Sequence, residues 1–214
     1  MPRRPKVVFE PRKLPIQARS TASVNSILEA TIQVLRDVGK EQLTTTRVAR
    51  RAGVSVGTLY QYFPNKKALL QAVLRNHLES VAGALEEVCR NATNSSLAQI
   101  VTELVDTFLE AKMKEIKTSV ALYSVSSDVD GSRIAREIST RVNKAIASAL
   151  ANAREPLRND PQLVASLIQG AMAGVGHRLL ESVSPEKQYQ PLKHELAVMM
   201  RAYVNACSVA RTIS

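Results

Sequence analysis

Residues 45–63 read TTRVARRAGVSVGTLYQYF, and the fold follows from this stretch. Thr46 to Ala52 has the composition of a short helix that places Val48, Ala49 and Ala52 on one face. A threonine of the run Leu43-Thr44-Thr45-Thr46 supplies its N-cap. Gly53 falls where the chain must reverse, and glycine takes a positive φ without steric cost. Val54-Ser55 makes the turn, and Ser55 can cap a second helix from Val56 to about Tyr62. Ala49 is small enough for the second helix to approach closely. Val54, Leu59 and Phe63 can close a small core. These are the dimensions of a helix-turn-helix.

The helical period continues on both sides. Val24, Ile27, Leu28, Thr31, Leu35 and Val38 recur at three- and four-residue steps from Thr21, and Gly39 supplies the stop. Phe63-Pro64-Asn65 ends the second short helix and caps another that runs to about Arg90. No proline occurs between 65 and 155, and further helices are expected at about 96–115, 117–126, 131–154, 161–183 and 188–211. Asp160-Pro161 marks one start clearly; Pro191 leaves the start of the last helix open. With no strand pattern and no internal repeat, the expected class is all-α: an N-terminal three-helix helix-turn-helix domain and a C-terminal helical domain. The expected divisions are a flexible basic arm over 1–20, punctuated by four prolines, then 21–67 and 68–214.

The 214 residues include 45% hydrophobic ones, which excludes wholesale disorder. Of the net charge of +10, the first 67 residues carry +9, and the remainder is nearly neutral. Such asymmetry points to a polyanion partner for the first third. Cys89 and Cys207 are too few and too far apart for a disulfide scaffold or a zinc site; buried reduced thiols are expected. The most apolar stretch, Leu163 to Leu180, is interrupted by Gln169, His177 and Arg178, so no membrane span is expected, and Val7-Val8-Phe9 is too short for a signal-peptide core. A cytoplasmic location is the expectation. There is no GxSxG, HExxH, phosphate loop or carboxylate pair beside a histidine. The three histidines are scattered, so an enzyme is not expected, nor a metal site or cofactor.

Once the small core is closed, Ser55, Val56, Gly57, Thr58, Tyr60, Gln61 and Tyr62 remain to face outward. Hydroxyls suit phosphates or base edges, and the Gln61 amide can pair with adenine. Gly57 lets the backbone approach a groove. The tyrosines suit phosphates, because a duplex does not present base faces. Lys66 stands at the positive end of the next helix, where an anion is attracted. Arg47, Arg50 and Arg51 can track the backbone. Arg12, Lys13 and Arg19 of the arm can reach a phosphate or the minor groove. Arg36 and Lys40 are equally readable as plain surface, and Thr45 and Ser55 are helix caps in any case.

The run TTTRVARRAGVSVGTLYQYFPNKKALL, residues 44–70, resembles the DNA-binding domain of tetracycline-repressor-type (TetR) transcription regulators, over about residues 20–75. The resemblance implies three N-terminal helices with the third as recognition helix. It implies DNA contacts from the positions of Thr45, Arg47, Ser55, Val56, Gly57, Thr58, Tyr60, Tyr62 and Lys66. It also implies an all-helical ligand-binding and dimerisation domain of about this length. The long arm departs from the family pattern. So does Val56, which can touch a thymine methyl but cannot pair with guanine.

Residues 76–214 are rich in small and aliphatic side chains. The helix at 161–183 is apolar over more than one stripe and needs partners on two sides; paired with the apolar helix at 188–211 from each of two subunits it can form a four-helix interface around a two-fold axis, and a monomeric core is the other reading. Two recognition helices about 34–36 Å apart read a palindrome in successive major grooves. The middle helices should enclose an effector pocket, with Phe108, Met113, Tyr123, Met172 and His177 as candidate lining. His177 is placed either at a ligand or against Glu181, one turn on. The partners expected are thus a palindromic double-stranded DNA operator, an unidentified small-molecule effector and a second copy of the chain. An effector-independent nucleoid or structural DNA-binding protein is the alternative.

Overall fold

The computed structural model describes residues 16–209, and every regular element among them is helical. In chain order these are α1 (Ile16–Gln42), α2 (Thr45–Ala52), α3 (Val56–Tyr62), α4 (Lys66–Asn91), α5 (Leu97–Lys114), α6 (Ile116–Val125), α7 (Gly131–Ala151), α8 (Pro161–Glu181) and α9 (Pro185–Cys207). A single 3-10 turn, Ser126–Val129, joins α6 to α7.

Helix α1 begins five residues before the expected start, so Ile16–Ser20 is helix rather than arm. The rest of the arm, Arg12 and Lys13 included, lies outside the described residues. Gly39 leaves helical geometry at φ 74°, ψ 175°, the break its position foretold. The start of α9 needs correction: Pro185 occupies its first position, and Pro191 lies inside the helix. Proline lacks the N–H that the first turn leaves unpaired anyway, so Pro185 starts the helix at little cost. The same helix ends at Cys207, four residues short of expectation. Leu157 and Ser208 then pair across an antiparallel bridge, with the Arg158 amide donating to the Cys207 carbonyl at 2.8 Å and the Val209 amide to that of Pro156 at 2.9 Å.

Helices α1, α2 and α3 form the N-terminal unit around Ile27, Val34, Leu35, Val48, Ala49 and Leu59, all buried. Helix α4 leaves this unit and buries Leu69, Leu70, Val73, Leu74, Val81, Ala82 and Leu85 as it runs into the larger bundle. A boundary at residue 67 therefore falls in the first turn of α4, and one continuous helix serves both parts. The bundle core is drawn from α4, α5, α7, α8 and α9, with Ile100, Leu104, Leu109, Ile146, Leu150, Ile168 and Val204 fully buried. By length and composition alone α8 could cross a membrane. Its Val164, Ala165, Ile168, Met172, Gly176, Leu179 and Leu180 are instead buried within the bundle. Cys207 is buried and Cys89 half-buried; both are free thiols, and burial pushes that of Cys89 up to about 11.

Candidate nucleic-acid interface

The helix-turn-helix is held by local chemistry. Thr44 caps α2, its side chain accepting from the Arg47 amide at 3.2 Å. Gly53 sits at φ 69°, ψ 27°, and its amide bonds back to the Ala49 and Arg50 carbonyls, closing α2 with the left-handed residue that glycine tolerates best. Ser55 caps α3, accepting from the Thr58 amide at 2.9 Å, and the two hydroxyl oxygens lie 2.8 Å apart. Leu59 and Phe63 turn inward and are buried. Ser55, Val56, Gly57, Tyr60 and Gln61 stand exposed on α3, with Thr58 and Tyr62 half-buried beside them. Tyr60 is 47% exposed, and its hydroxyl lies 3.1 Å from that of Thr45, so the two helices present one hydroxyl pair.

The basic groups are less free than their spacing suggests. Arg47 donates to the Gln42 carbonyl at 3.1 Å, and Arg51 pairs with Asp37 at 2.7 Å. The Lys66 ammonium donates to the Lys40 carbonyl at 2.7 Å, so it completes the end of α1 as well as standing at the start of α4. Sequence reading missed this role, because the bond spans 26 residues and needs the fold. Lys40 pairs with Asp128 at 3.0 Å, which removes it from the plain-surface class. Arg36 and Arg50 are exposed, with no ion pair among the described residues.

Several contacts join this unit to the bundle. Besides Lys40–Asp128, Lys67 meets Asp130 at 2.9 Å, the Gln71 amide donates to the Val129 carbonyl at 3.1 Å, and Arg75 meets Glu137 at 2.7 Å. The ammonium of Lys67 holds the Asp130 carboxyl below its usual range, and Arg75 does the same for Glu137. All three acids lie on or beside the 3-10 turn or on α7. Lys67 thus has a specific partner, although the sequence offers no sign of one.

Within the bundle, α4, α5, α7 and α8 line a half-open cavity of about 190 Å³. Leu78, Leu85, Ile138 and Val142 form part of its wall, and Phe108, Met172 and His177 also line it. Met113 and Tyr123 do not. Met113 faces a separate, wider cleft beside His77 and Tyr189. The Tyr123 hydroxyl donates to Glu181 at 2.7 Å, and its ring packs against that of His177 with centroids 5.0 Å apart. Glu181 is therefore taken by Tyr123, one helix away, rather than by His177. A single residue along a helix is a rotation of about 100°, enough to exchange one side of the helix for another. Lys112 also lines the cavity and was missed, since a lysine reads as surface.

Residues 27–73 match the family described as bacterial regulatory proteins, tetR family, and residues 96–203, half the chain, match the tetracyclin repressor-like C-terminal domain. The chain belongs to the TetR family. It is a DNA-binding transcriptional regulator with an all-helical fold. Among curated relatives, the transcriptional regulator BetI of Cronobacter sakazakii is 35% identical over 79 residues, 35% of this chain and 39% of that one. BetI 1 of Chromohalobacter salexigens is 30% identical over 102 residues, 47% and 50% of the two chains. The match thus spans half or less of these relatives' length. Solved TetR-type folds extend over most of this regulator. A transcriptional regulator of Rhodococcus sp. RHA1 superposes with a TM-score of 0.68 at 20% identity, covering 87% of this chain and 97% of that one. FadR of Bacillus subtilis, solved in complex with stearoyl-CoA, gives 0.58 at 15% identity, covering 81% and 97%. At such identities the likeness concerns the fold alone.

Proposed function

We propose that this TetR-family regulator is a homodimeric repressor that binds a palindromic operator and is released by a small-molecule effector, acting in the cytoplasm. DNA contacts are assigned to Thr45, Arg47, Ser55, Val56, Gly57, Thr58, Tyr60, Gln61, Tyr62 and Lys66. Helix α3 enters the major groove, and Arg47 and Lys66 give part of their present hydrogen bonding to phosphate. The observation that carries the reading is the junction: the cavity and the recognition helix share α4, and the ion pairs at its head connect α1 and α4 to the turn before α7. A ligand that shifts α4 against that turn changes the separation of two recognition helices. A coupling of about 1–3 kcal/mol suffices to alter DNA affinity 5–150-fold.

Dimerisation is supported by an uncovered stripe. Leu163 and Leu167 are 54% and 52% exposed on α8, in register with exposed Gly170 and Gly174. Met199, 50% exposed, Val198, Ala202 and Ala206 continue the apolar surface on α9. Small residues permit close helix approach across a two-fold axis.

Footprinting on DNA selected from a random pool tests the proposal. Two protected half-sites about one helical turn or more apart are expected, with Thr58→Ala changing the preferred bases. Uniform protection without sequence preference would instead identify a general DNA-coating protein.

A further inference from the structure

The cavity wall carries one side chain that a closed hydrophobic core would not keep. Lys112 is the only lysine, arginine, aspartate or glutamate lining it among the described residues, and its ammonium has no ion pair or hydrogen bond among them. Its nearest recorded partner is the Phe108 ring, with the nitrogen 5.7 Å from the centroid. The acids that share α5 are turned elsewhere: Asp106 and Glu110 both hold Lys193, at 3.1 and 3.0 Å. Ser139 and Gln169, also on the wall, satisfy each other, Ser139 donating to the Gln169 side chain at 2.9 Å and Gln169 donating to the Ser139 carbonyl at 3.1 Å, and the remaining polar wall group, His177, packs its ring against Tyr123. Gly176 completes the arrangement. A Cβ there would lie 2.9 Å from the Phe108 ring, so only glycine lets that ring rest against α8 beneath the lysine. Burial alone pulls the Lys112 pKa down, with no carboxylate opposing it. The same charge helps hold neighbouring His77 neutral, second to burial, and Ser119 and Glu115 are the other groups that face that ring.

A partly buried cation without a counter-ion is costly to the empty protein, and such violations concentrate where a ligand completes the structure. We propose that the cavity takes a small amphiphile with an apolar body and one anionic head, the head seated on Lys112 and the body among Leu78, Leu85, Ile138, Val142 and Met172. This rests on the effector reading above and adds the ligand's charge. At the ~30 Å³ that a water molecule occupies in the liquid, the cavity accommodates about six such volumes, which fits a short chain.

Three short-chain probes that differ in head charge decide the matter by calorimetric titration of the full chain: hexanoate, hexanol and hexylammonium. Hexanoate is expected to bind at least tenfold more tightly than hexanol, and the ammonium compound more weakly than either. Lys112→Met should abolish or invert the preference for hexanoate while leaving hexanol affinity within twofold. A melting temperature equal to or above that of the wild type would show that the variant folds. Raising the pH through the ammonium's titration should erase the preference in the wild type only. Equal binding of hexanoate and hexanol to the wild type would overturn the anionic assignment yet leave the cavity as a ligand site. Binding of none of the three, with no displacement of operator DNA, would remove both readings. A preference for the cation, or a hexanoate preference that survives in Lys112→Met, would reverse the assignment.

Discussion

Replacing Leu167 by glutamate measures how far the exposed stripe on α8 holds two protomers together. Full burial of a leucine stabilises by about 1.5–3 kcal/mol. Leu167 is 52% exposed in the protomer, so about half of that, roughly 0.8–1.5 kcal/mol, is available on association. In a two-fold interface the position occurs twice, which makes about 1.5–3 kcal/mol lost from hydrophobic burial alone. Each glutamate must also be desolvated or protonated. Even with relaxation toward solvent this adds about 1–3 kcal/mol per carboxylate. The total is about 4 kcal/mol or more, which raises the dimer Kd at least ~1000-fold. Sedimentation velocity across a concentration series reads this directly, and fluorescence anisotropy with an operator duplex reads the consequence for DNA. Because the side chain is exposed in the isolated protomer, its helical circular dichroism should be unchanged. A Leu167→Glu protein that remains as dimeric as the wild type at every concentration would refute the assignment of this face.

Two further outcomes follow from buried groups. His77 has its pKa lowered to about 4, chiefly by burial. The unfolded chain therefore binds more protons between pH 6.5 and 4, so stability is full above pH 6.5 and falls as pH drops; partial exposure reduces the loss to about 1–2 kcal/mol. Urea denaturation at pH 7.5 and 4.5 should show that loss, and His77→Gln should shrink it; an unchanged difference would acquit the imidazole. At Gly131, an added Cβ would sit 2.6 Å from the Ser126 carbonyl oxygen and collide with the Ser126 hydroxyl. Gly131→Ala should therefore destabilise by about 1–3 kcal/mol, whereas Gly83→Ala, with no atom within 4 Å of the new carbon, should stabilise by about 0.5–1 kcal/mol. Thermal melts that rank the two alike would contradict this packing.

The helix-turn-helix was legible because its determinants are local. Thr44, Ser55 and Asn65 each accept from an amide three residues on, Gly53 donates to the Ala49 and Arg50 carbonyls, and the sequence carries those signals openly. The helices of the bundle were legible by periodicity. What periodicity cannot supply is rotation about the helix axis to within one residue. Hence Phe108 and Met172 face this cavity, while Met113 lines another cleft and Tyr123 lines neither. Long-range pairs were invisible for another reason. Lys67 to Asp130 and Arg75 to Glu137 join side chains, and Lys66 to the Lys40 carbonyl joins a side chain to backbone, where each charge looks like an ordinary solvated one. The cavity lysine was hidden by the same habit of reading, which assigns charge to the outside.

The joint between the N-terminal unit and the bundle carries, at the head of α4, Lys40–Asp128 and Lys67–Asp130, in which every partner is between 39% and 55% exposed. Pairs of that kind are individually weak and fade as salt rises. Mechanical compliance at the neck is thus set partly by the surrounding electrolyte. Rising ionic strength therefore loosens this neck at the same moment as it weakens the basic N-terminal unit's attraction to phosphate.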